Sequence, residues 1–600
     1  RSLRNLHRPE AALETLNRLL ERLPDHTGAH VERANALLDL QRPAEALACL
    51  DRVLVLLPED PVALSNRGNA VLTMGDPAAA LADYDRALAA DPRHADALLN
   101  RGTALLELQR PEEALESFDR ALVQRPDWAE GHMNRATALV ALRRTEQALE
   151  AYDRALALRP RQAEILINRG TALHRMGRHR EAIADYDRAL ALEPANRKAH
   201  SNRIFVLDYL PDVDCAGHQQ ARRDCCRALG YDLPVPPWQP DLDRDPDRPL
   251  RVGYVSADFK RHSAASCFGP VLLHHDRSVL CVTCYSGTSL ADDWTARFRT
   301  AADHWVDTAG LSDTALVERI RADRIDILVD LSGHSEGNRL GVFARRAAPI
   351  QVTAWGHGGG TGLPAMDVQF TDPVAIPVEV RSLFAEASWD LPCCITFEAP
   401  GGAPDPGPAP VCAGVPITFG CLSRFMKASP EALDLWGRIL QRLPGSRLLL
   451  KDALLDDPRV RSSVQQHFER FGVGGDRLLI RGATSHLDHL ASYRQVDIVL
   501  DTFPQNGGIT TWEALWMGSP VVALRGGKPP ERISAAILHA LGLDEWIADS
   551  PDGCLALAIR AAADPSALAA FRAGIRPRIL ASPAGDPARY TRAVEAAYRS

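Results

Sequence analysis

Small, apolar and polar positions recur along the first third of the chain with a fixed period. One unit reads Asn100-Arg-Gly-Thr-Ala-Leu, continues as Glu112-Glu-Ala-Leu-Glu-Ser-Phe-Asp-Arg-Ala-Leu, and closes at Pro126. Each half spaces its apolar residues as a helix does, so the unit predicts a helix A and a helix B. Small residues recur on helix A (Gly68, Gly102, Ala136, Gly170), where two helices must approach closely. Aromatic residues recur on helix B (Tyr84, Phe118, Tyr152, Tyr186) and are expected to fill the contact with the next unit. Pro24, Pro58, Pro92, Pro126, Pro160 and Pro194 stand 34 residues apart, just after helix B, where they stop it.

A 34-residue helical hairpin period is the signature of tetratricopeptide repeats. About six units are visible over residues 1–210, the first truncated. Stacked hairpins form a superhelix with a long concave groove that usually holds protein or peptide. Asn66, Asn100, Asn134, Asn168 and Asn202 keep the same period, one turn into helix A. Core packing does not need an amide there, and asparagine is a mediocre helix former. Amides in register offer the donors and acceptors that match a peptide backbone, whatever its side chains. The other reading is that each amide bonds a neighbouring helix and orders the stack; spacing alone leaves both open.

The remaining two thirds does not repeat and reads as α/β. Arg251-Val-Gly-Tyr-Val-Ser, Ile325-Asp-Ile-Leu-Val-Asp-Leu and Ile350-Gln-Val-Thr-Ala-Trp predict strands. They are followed by Ser256–His262, by Ser332-Gly-His334 and by a glycine-rich loop, Gly356 to Gly362. Polar residues at the carboxyl ends of strands are where open parallel sheets bind ligands. Residues 399–414, rich in proline and glycine, predict a linker or surface loop. A second α/β unit follows, with strands at Thr418-Phe-Gly-Cys-Leu-Ser, Arg447–Lys451, Arg477–Arg481 and Asp497–Asp501. The stretch Gln505-Asn-Gly-Gly-Ile-Thr-Thr-Trp-Glu513 then reads as a glycine turn into a helix start, which can hold a phosphate. The organisation expected is repeats at 1–210, a transition at 211–248, one α/β domain at 249–398, the linker at 399–414 and a second domain with C-terminal helices at 415–600. Two such domains with a hinge suggest a cleft with a nucleotide on one wall and an acceptor on the other.

Six hundred residues imply several domains, and a net charge of −8 gives no support for nucleic-acid binding. No apolar run reaches the ~18 residues of a membrane span. The chain begins Arg1-Ser2-Leu3, without Met and inside a helical pattern, and reads as a fragment or incomplete start. Twelve scattered cysteines favour thiols in a reducing cytoplasm. Cys281 and Cys284 form a C-x-x-C inside a predicted strand and read as structural; the adjacent pairs Cys225-Cys226 and Cys393-Cys394 carry no signal. Asp241-Leu-Asp243 reads as solvated linker rather than a metal site.

Several motifs together resemble the nucleocytoplasmic O-GlcNAc transferase family. They are Tyr254-Val-Ser-Ala-Asp-Phe with His262, Ser332-Gly-His334, Arg346-Ala-Ala-Pro-Ile-Gln-Val, Phe419-Gly with Lys427, and Asp501-Thr-Phe-Pro through Gly518-Ser-Pro-Val-Val. The resemblance covers essentially the whole chain, in the family's order, and looks closest to its bacterial SPINDLY-type branch. It implies an α/β catalytic region of two Rossmann-like domains, the GT-B glycosyltransferase fold, behind an all-α repeat superhelix. It implies inverting transfer of a sugar from a nucleotide donor to Ser or Thr hydroxyls of a protein, with no metal and no cofactor beyond the donor. It also gives the asparagine ladder the role of contacting the peptide backbone.

Carried over by position, Lys427 matches the lysine at the donor diphosphate, and Gly508, Ile509 and Thr510 match the loop that grips the phosphates. Glu513 matches the acidic residue at the ribose, and His489 the residue packed on the base. His262 matches the histidine facing sugar and acceptor, and His334 resembles a second polar residue of the active site. A leaving nucleoside diphosphate gains negative charge, which a lysine and backbone N–H groups can stabilise. His262 could take the acceptor proton near neutral pH, or only orient the substrates while the donor phosphate or a water relay takes it. Arg424 stands where the transferase branch usually has an amide, and Gly508 replaces a side chain that elsewhere can touch phosphate. These departures leave the donor open between UDP-GlcNAc, the first choice, and GDP-fucose for an O-fucosyltransferase. A repeat scaffold with an inactive catalytic region is the alternative outside enzymes; intact Lys427, His262 and the glycine-threonine turn argue against it. Protein acceptors in the groove and a nucleotide sugar are the partners expected, with no nucleic acid and no membrane. Repeat arrays often self-associate, so a homodimer is one arrangement the sequence allows.

Overall fold

The computed structural model describes residues 9–233, 245, 247–288, 291–356 and 358–600. The Arg1-Ser2-Leu3 start, Asp241-Leu-Asp243 and His357 of the glycine-rich loop lie outside the described residues. The chain forms two compact units, Arg1–Ala172 and Leu173–Ser600.

The described residues of the first unit form helices joined by short turns. Its hairpins pair Pro61–Thr73 with Pro77–Ala90, Ala95–Glu107 with Pro111–Gln124, and Ala129–Ala141 with Thr145–Leu158. The recurrent glycines answer the recurrent aromatics of their own hairpin: a Cβ on Gly68 would stand 2.6 Å from Tyr84 Cε1, and one on Gly102 2.4 Å from Phe118 Cε1. Tyr84 is therefore not only a filler toward the next unit as expected. It packs on Gly68 and also clusters with Ala104 of the following repeat. An Asp–Arg ladder ties each helix B to the next helix A: Arg67 to Asp51 at 2.8 Å, Arg101 to Asp85 at 2.7 Å, Arg135 to Asp119 at 2.6 Å.

The second unit holds two parallel sheets. The first comprises β1 (Leu250–Ser256), β2 (Leu280–Ser286), β3 (His304–Asp307), β4 (Ile327–Asp330), β5 (Ile350–Thr353), β6 (Val368–Thr371) and β7 (Ala387–Asp390), in the order β3-β2-β1-β4-β5-β6-β7. The second comprises β8 (Thr418–Cys421), β9 (Arg447–Lys451), β10 (Leu478–Arg481), β11 (Ile498–Leu500), β12 (Val521–Leu524) and β13 (Ile547–Ala548), in the order β10-β9-β8-β11-β12-β13. The chain reverses its progress between β1 and β4 in one sheet, and between β8 and β11 in the other. Crevices open at such reversals, at the carboxyl ends of the strands. The loops after these four strands carry His262, His334, Lys427 and the 508–510 turn. Cys281 and Cys284 lie on β2, where residues three apart point to opposite faces and cannot act as a pair.

Three stretches make contacts that the sequence does not record. Helices His179–Leu192 and Arg197–Leu207 belong to the second unit. Arg197 pairs with Asp313 at 2.6 Å, and the buried Lys528 ammonium donates to the carbonyls of Leu207, Leu210 and Val213. The stretch taken as transition contains a helix, Cys215–Ala228, whose fully buried Arg222 donates to Gly360 O at 3.0 Å while Gln219 donates to Gly359 O at 2.8 Å. Gly362, at φ +75°, has no room for a side chain: a Cβ would meet Arg222 Cβ at 2.6 Å. The last helix, Pro587–Arg599, returns to the first sheet, where Tyr598 Oη lies 3.0 Å from Tyr254 Oη and Trp355 Nε1 donates to Tyr590 Oη at 3.0 Å.

The proline-rich linker has few side chains suited to packing. Instead Arg576, Arg494 and Arg572 donate to the carbonyls of Pro404, Asp405 and Pro406, because a chain poor in N–H groups still presents acceptors that need donors. Among the described residues no single helix is long and apolar enough to cross a membrane.

Candidate active site

Strand β8 ends in Cys421, and the chain turns through Ser423 and Arg424 into a short 3-10 turn, Phe425–Lys427. Lys427 N bonds Arg424 O at 3.0 Å, and its side chain crosses to the loop after β11, where Nζ donates to Asn506 O at 2.8 Å. Burial pushes the Lys427 amine down to about 8; the Arg424 charge works in the same direction, and Asp501 against it.

The loop after β11 is folded by its own polar groups. Asp501 Oδ1 accepts from the N–H groups of Thr502 at 2.9 Å and Gly507 at 2.8 Å. Thr502 Oγ1 donates to Gln505 O at 2.8 Å, and Asn506 Nδ2 to Thr502 O at 2.9 Å. Burial raises the Asp501 carboxyl above its usual range. Gly507 is required by space, since a Cβ would lie 2.4 Å from Thr511 Oγ1. Gly508 then caps the helix Ile509–Trp516, whose first N–H groups lack intrahelical acceptors. Thr510 Oγ1 lies 2.9 Å from Ser423 Oγ, joining the two loops. An amine and a pair of hydroxyls thus tie the loop after β8 to the loop that opens this helix.

On the same helix, Glu513 is buried and lies 2.7 Å from His486 Nε2 and 3.8 Å from His489 Nε2. The two histidines shift in opposite directions. The bond to Glu513 raises the pKa of His486, whereas burial takes His489 down to about 4. His489 packs edge-on against Tyr493, and Lys451 Nζ stands 3.4 Å from its Nδ1 while donating to Thr484 Oγ1 at 2.6 Å. Sequence reading passed over His486 and Lys451. The signal for His486 was present: three residues before His489 on a helix, it shares that face.

Across the crevice, His262 caps the helix Ser263–His274, which packs against the helix Ile509–Trp516. His262 Nδ1 accepts from Ala264 N at 3.3 Å and lies 3.5 Å from Asp258 Oδ2. The side chain is 45% exposed, so Nε2 can meet a ligand. His334, which resembles a second polar residue of the active site, is buried. It is 2% exposed, and its Nε2 lies 2.8 Å from Thr361 O, so it braces the loop after β4 against the glycine-rich loop. Arg424 is exposed.

The ladder asparagines are all half-buried, four in the first unit and Asn202 in the second. Asn100 Nδ2 donates to Asn69 Oδ1 of the preceding repeat at 2.8 Å, and Tyr84 Oη donates to the same oxygen at 2.7 Å. At that rung the amide orders the stack.

Among the described residues, Asp372, Cys393 and Cys394 are close enough together to share a metal ion. The carboxylate of Asp372 is already committed, accepting from the N–H groups of Val374 at 2.8 Å, Ala375 at 2.7 Å and Cys394 at 2.6 Å. That pattern fits a loop brace.

Comparison with known proteins bears on this geometry. The family model for glycosyl transferase family 41 matches residues 235–393 and 414–594, and that for the tetratricopeptide repeat matches 1–61, 66–128 and 133–197. A solved Thermobaculum terrenum O-GlcNAc transferase mutant is 34% identical, with a TM-score of 0.78, over 84% of this chain and 96% of that one. A probable UDP-N-acetylglucosamine–peptide N-acetylglucosaminyltransferase SPINDLY of Solanum lycopersicum is 34% identical over 414 residues, 68% of this chain and 44% of its own. The Arabidopsis thaliana protein named SEC, with the same probable activity, is 29% identical over 361 residues, 58% of this chain and 36% of its own. The chain spans less than half the length of these plant relatives.

Proposed function

The chain belongs to glycosyl transferase family 41, and from that premise we propose that it is a protein O-glycosyltransferase that moves GlcNAc from UDP-GlcNAc to Ser or Thr hydroxyls. The observation that carries this reading is the meeting of Lys427 with the loop that opens the helix Ile509–Trp516. Breaking a sugar–phosphate bond puts charge on the departing diphosphate. An ammonium and the positive end of a helix, fixed before the reaction, stabilise that charge without reorganising. The role a divalent cation has in other transferases falls here to Lys427 and the amides of Gly508, Ile509 and Thr510. Glu513, held by His486, accepts from the ribose hydroxyls, and His489 faces the base. The activity named for the plant relatives supports a UDP-sugar as donor.

The acceptor hydroxyl attacks the anomeric carbon on the face opposite the diphosphate, so the configuration inverts. The new bond joins the hydroxyl oxygen to that carbon, the carbon–oxygen bond to phosphate breaks, and the proton goes to His262 Nε2. For Nε2 to be a base, Nδ1 must hold the ring proton. Asp258, 3.5 Å away, is placed to accept from it once the ring leaves its capping bond to Ala264. His334 acts through the glycine-rich loop and is a positioning residue. The repeats hold the polypeptide acceptor through groove amides such as Asn66 and Asn134.

The test is direct. Purified protein is incubated with UDP-GlcNAc and acceptor peptides, and peptide mass is read. The expected result is addition of one N-acetylhexosamine. Thermal unfolding with UDP or GDP checks the donor, because a ligand bound only to the folded state raises its stability. Stabilisation by GDP alone would redirect the reading to fucosyl transfer. A folded protein that consumes no nucleotide sugar overturns it.

A further inference from the structure

The repeat pattern breaks at two positions, and the two substituted residues touch. The first residue of helix B is Pro43, Pro77, Pro111 and Thr145 in successive repeats, and then His179. Near the end of helix A the pattern runs Leu38, Leu72, Leu106 and Val140, and then His174. Proline is preorganised at a helix's first position, and an apolar residue is the economical filler between helices. Both replacements cost local stability, so the fold needs a return elsewhere.

The return lies at the donor loop. His179 Nε2 is 3.0 Å from the carbonyl oxygen of Met426, the residue before Lys427. A carbonyl only accepts, so Nε2 carries the proton and Nδ1 is bare. That bare Nδ1 lies 3.1 Å from His174 Nδ1, which therefore donates. Tyr209 closes the cluster, its ring 4.7 Å from each imidazole, and Phe205 packs edge-on against His174. Burial keeps both rings neutral, His174 down to about 3 and His179 below its ordinary value, as this relay requires. The platform beneath is fixed by Lys528, which caps the carbonyls of Leu207, Leu210 and Val213.

We propose that His179, on the last repeat hairpin, is a positioning residue of the donor site, holding through the Met426 carbonyl the turn that carries Lys427. The peptide unit His179 grips is the one that joins Met426 to Lys427. Its bond fixes the backbone from which the lysine reaches Asn506, while Lys427 N to Arg424 O and Ala428 N to Phe425 O close the turn itself. The final repeat is then part of the catalytic machinery as well as the end of a peptide-binding arm.

The inference rests on the reading that Lys427 binds the donor diphosphate, and the experiment separates the two. His179→Phe keeps the ring and removes the donor. Its KM for UDP-GlcNAc should rise about tenfold, the loss of one well-placed hydrogen bond. The KM for acceptor peptide should stay unchanged, and stabilisation by UDP should fall in step. His179→Gln, whose amide can still donate to Met426 O, should recover most of the loss. A role confined to folding would lower the melting temperature of both variants and leave donor KM alone. Should His179→Phe not fold, His174→Phe removes the N–H that fixes the tautomer and is read in the same way. Unchanged donor KM and unchanged UDP stabilisation in a folded variant, beside a Lys427→Ala variant that no longer binds UDP, overturn this inference only. Undiminished UDP binding by Lys427→Ala overturns the reading beneath it.

Discussion

Lys427 and Asn506 lie 79 residues apart in sequence, and the amine of one donates to the backbone carbonyl of the other at 2.8 Å. That bond parks an ammonium in the loop that opens the helix Ile509–Trp516. A phosphate oxygen arriving there offers a stronger partner than a neutral carbonyl, because it brings an opposite charge to the ammonium. The site is preorganised for an anion.

Replacing Lys427 with Ala should therefore lower sugar transfer by about 10²–10³-fold, the range for losing one fixed donor at a developing oxyanion. Steady-state kinetics with UDP-GlcNAc and peptide measure it. Peptide affinity, measured separately, should not change. Equal loss of both would mean that the variant is misfolded or that the lysine is not at the donor.

The lysine also predicts a pH dependence. Its pKa is lowered to about 8, so the amine is charged below that value and neutral above it. Diphosphate binds the charged form. UDP affinity should be full below pH 8 and decline as pH rises through it, and binding near pH 8 should take up a proton. Calorimetry in two buffers of different ionisation enthalpy reads that uptake. Zero uptake would contradict the assignment.

His486 and Glu513 supply a second titration. The bond at 2.7 Å raises the folded-state pKa of His486 above 6.5. Stability from a raised histidine pKa is fully present below the unfolded value and is lost as pH rises through the folded value. The His486 ring resonances should accordingly titrate above 6.5 in the wild type and shift downward in Glu513→Gln. The same variant should weaken UDP binding if the carboxylate meets the ribose.

In the repeats, Gly102→Ala should destabilise the fold by about 1–3 kcal/mol, the usual cost of overpacking. The added Cβ would stand 2.4 Å from Phe118 Cε1, and the ring cannot retreat through its own buried packing. Thermal unfolding tests this, and Phe118→Leu in the same chain should recover part of the loss. An unchanged melting temperature for Gly102→Ala would show the hairpin to be looser than its packing indicates.

For the asparagine ladder, replacing Asn66 and Asn134 together with Ala should weaken many unrelated peptides alike, since a backbone contact does not depend on side chains. Fluorescence titrations with a peptide panel measure it. Asn100→Ala should in addition lower stability by about 0.5–1.5 kcal/mol, because its amide is spent on Asn69. Loss confined to one peptide would contradict backbone capture.

Much of this was legible without coordinates. The strands at Leu250–Ser256, Thr418–Cys421 and Ile498–Leu500 fall within two residues of the runs that predict them, and the loops after them carry His262, Lys427 and the 508–510 turn. The helical spacing of His486 and His489 was legible, but the partner they share, Glu513, lies 27 residues beyond His486 and no local pattern points to it. His334 looks like an active-site residue in sequence because it follows a strand; that its ring turns inward to Thr361 depends on where the glycine-rich loop packs.

The sequence by itself determined what repeats at short range: the 34-residue hairpin, the alternation of strands and helices, and the polar residues at the strand ends. These are set by backbone periodicity and side-chain size, which act between near neighbours. Tertiary structure alone decided that the final hairpin joins the catalytic unit through His179 and Lys528, that three arginines hold the proline-rich linker, and that the last helix returns to the first sheet. In each case a carbonyl or hydroxyl found its partner 89 to 344 residues away. Nothing periodic in a chain records such a match; it exists only once the sheets and helices are stacked.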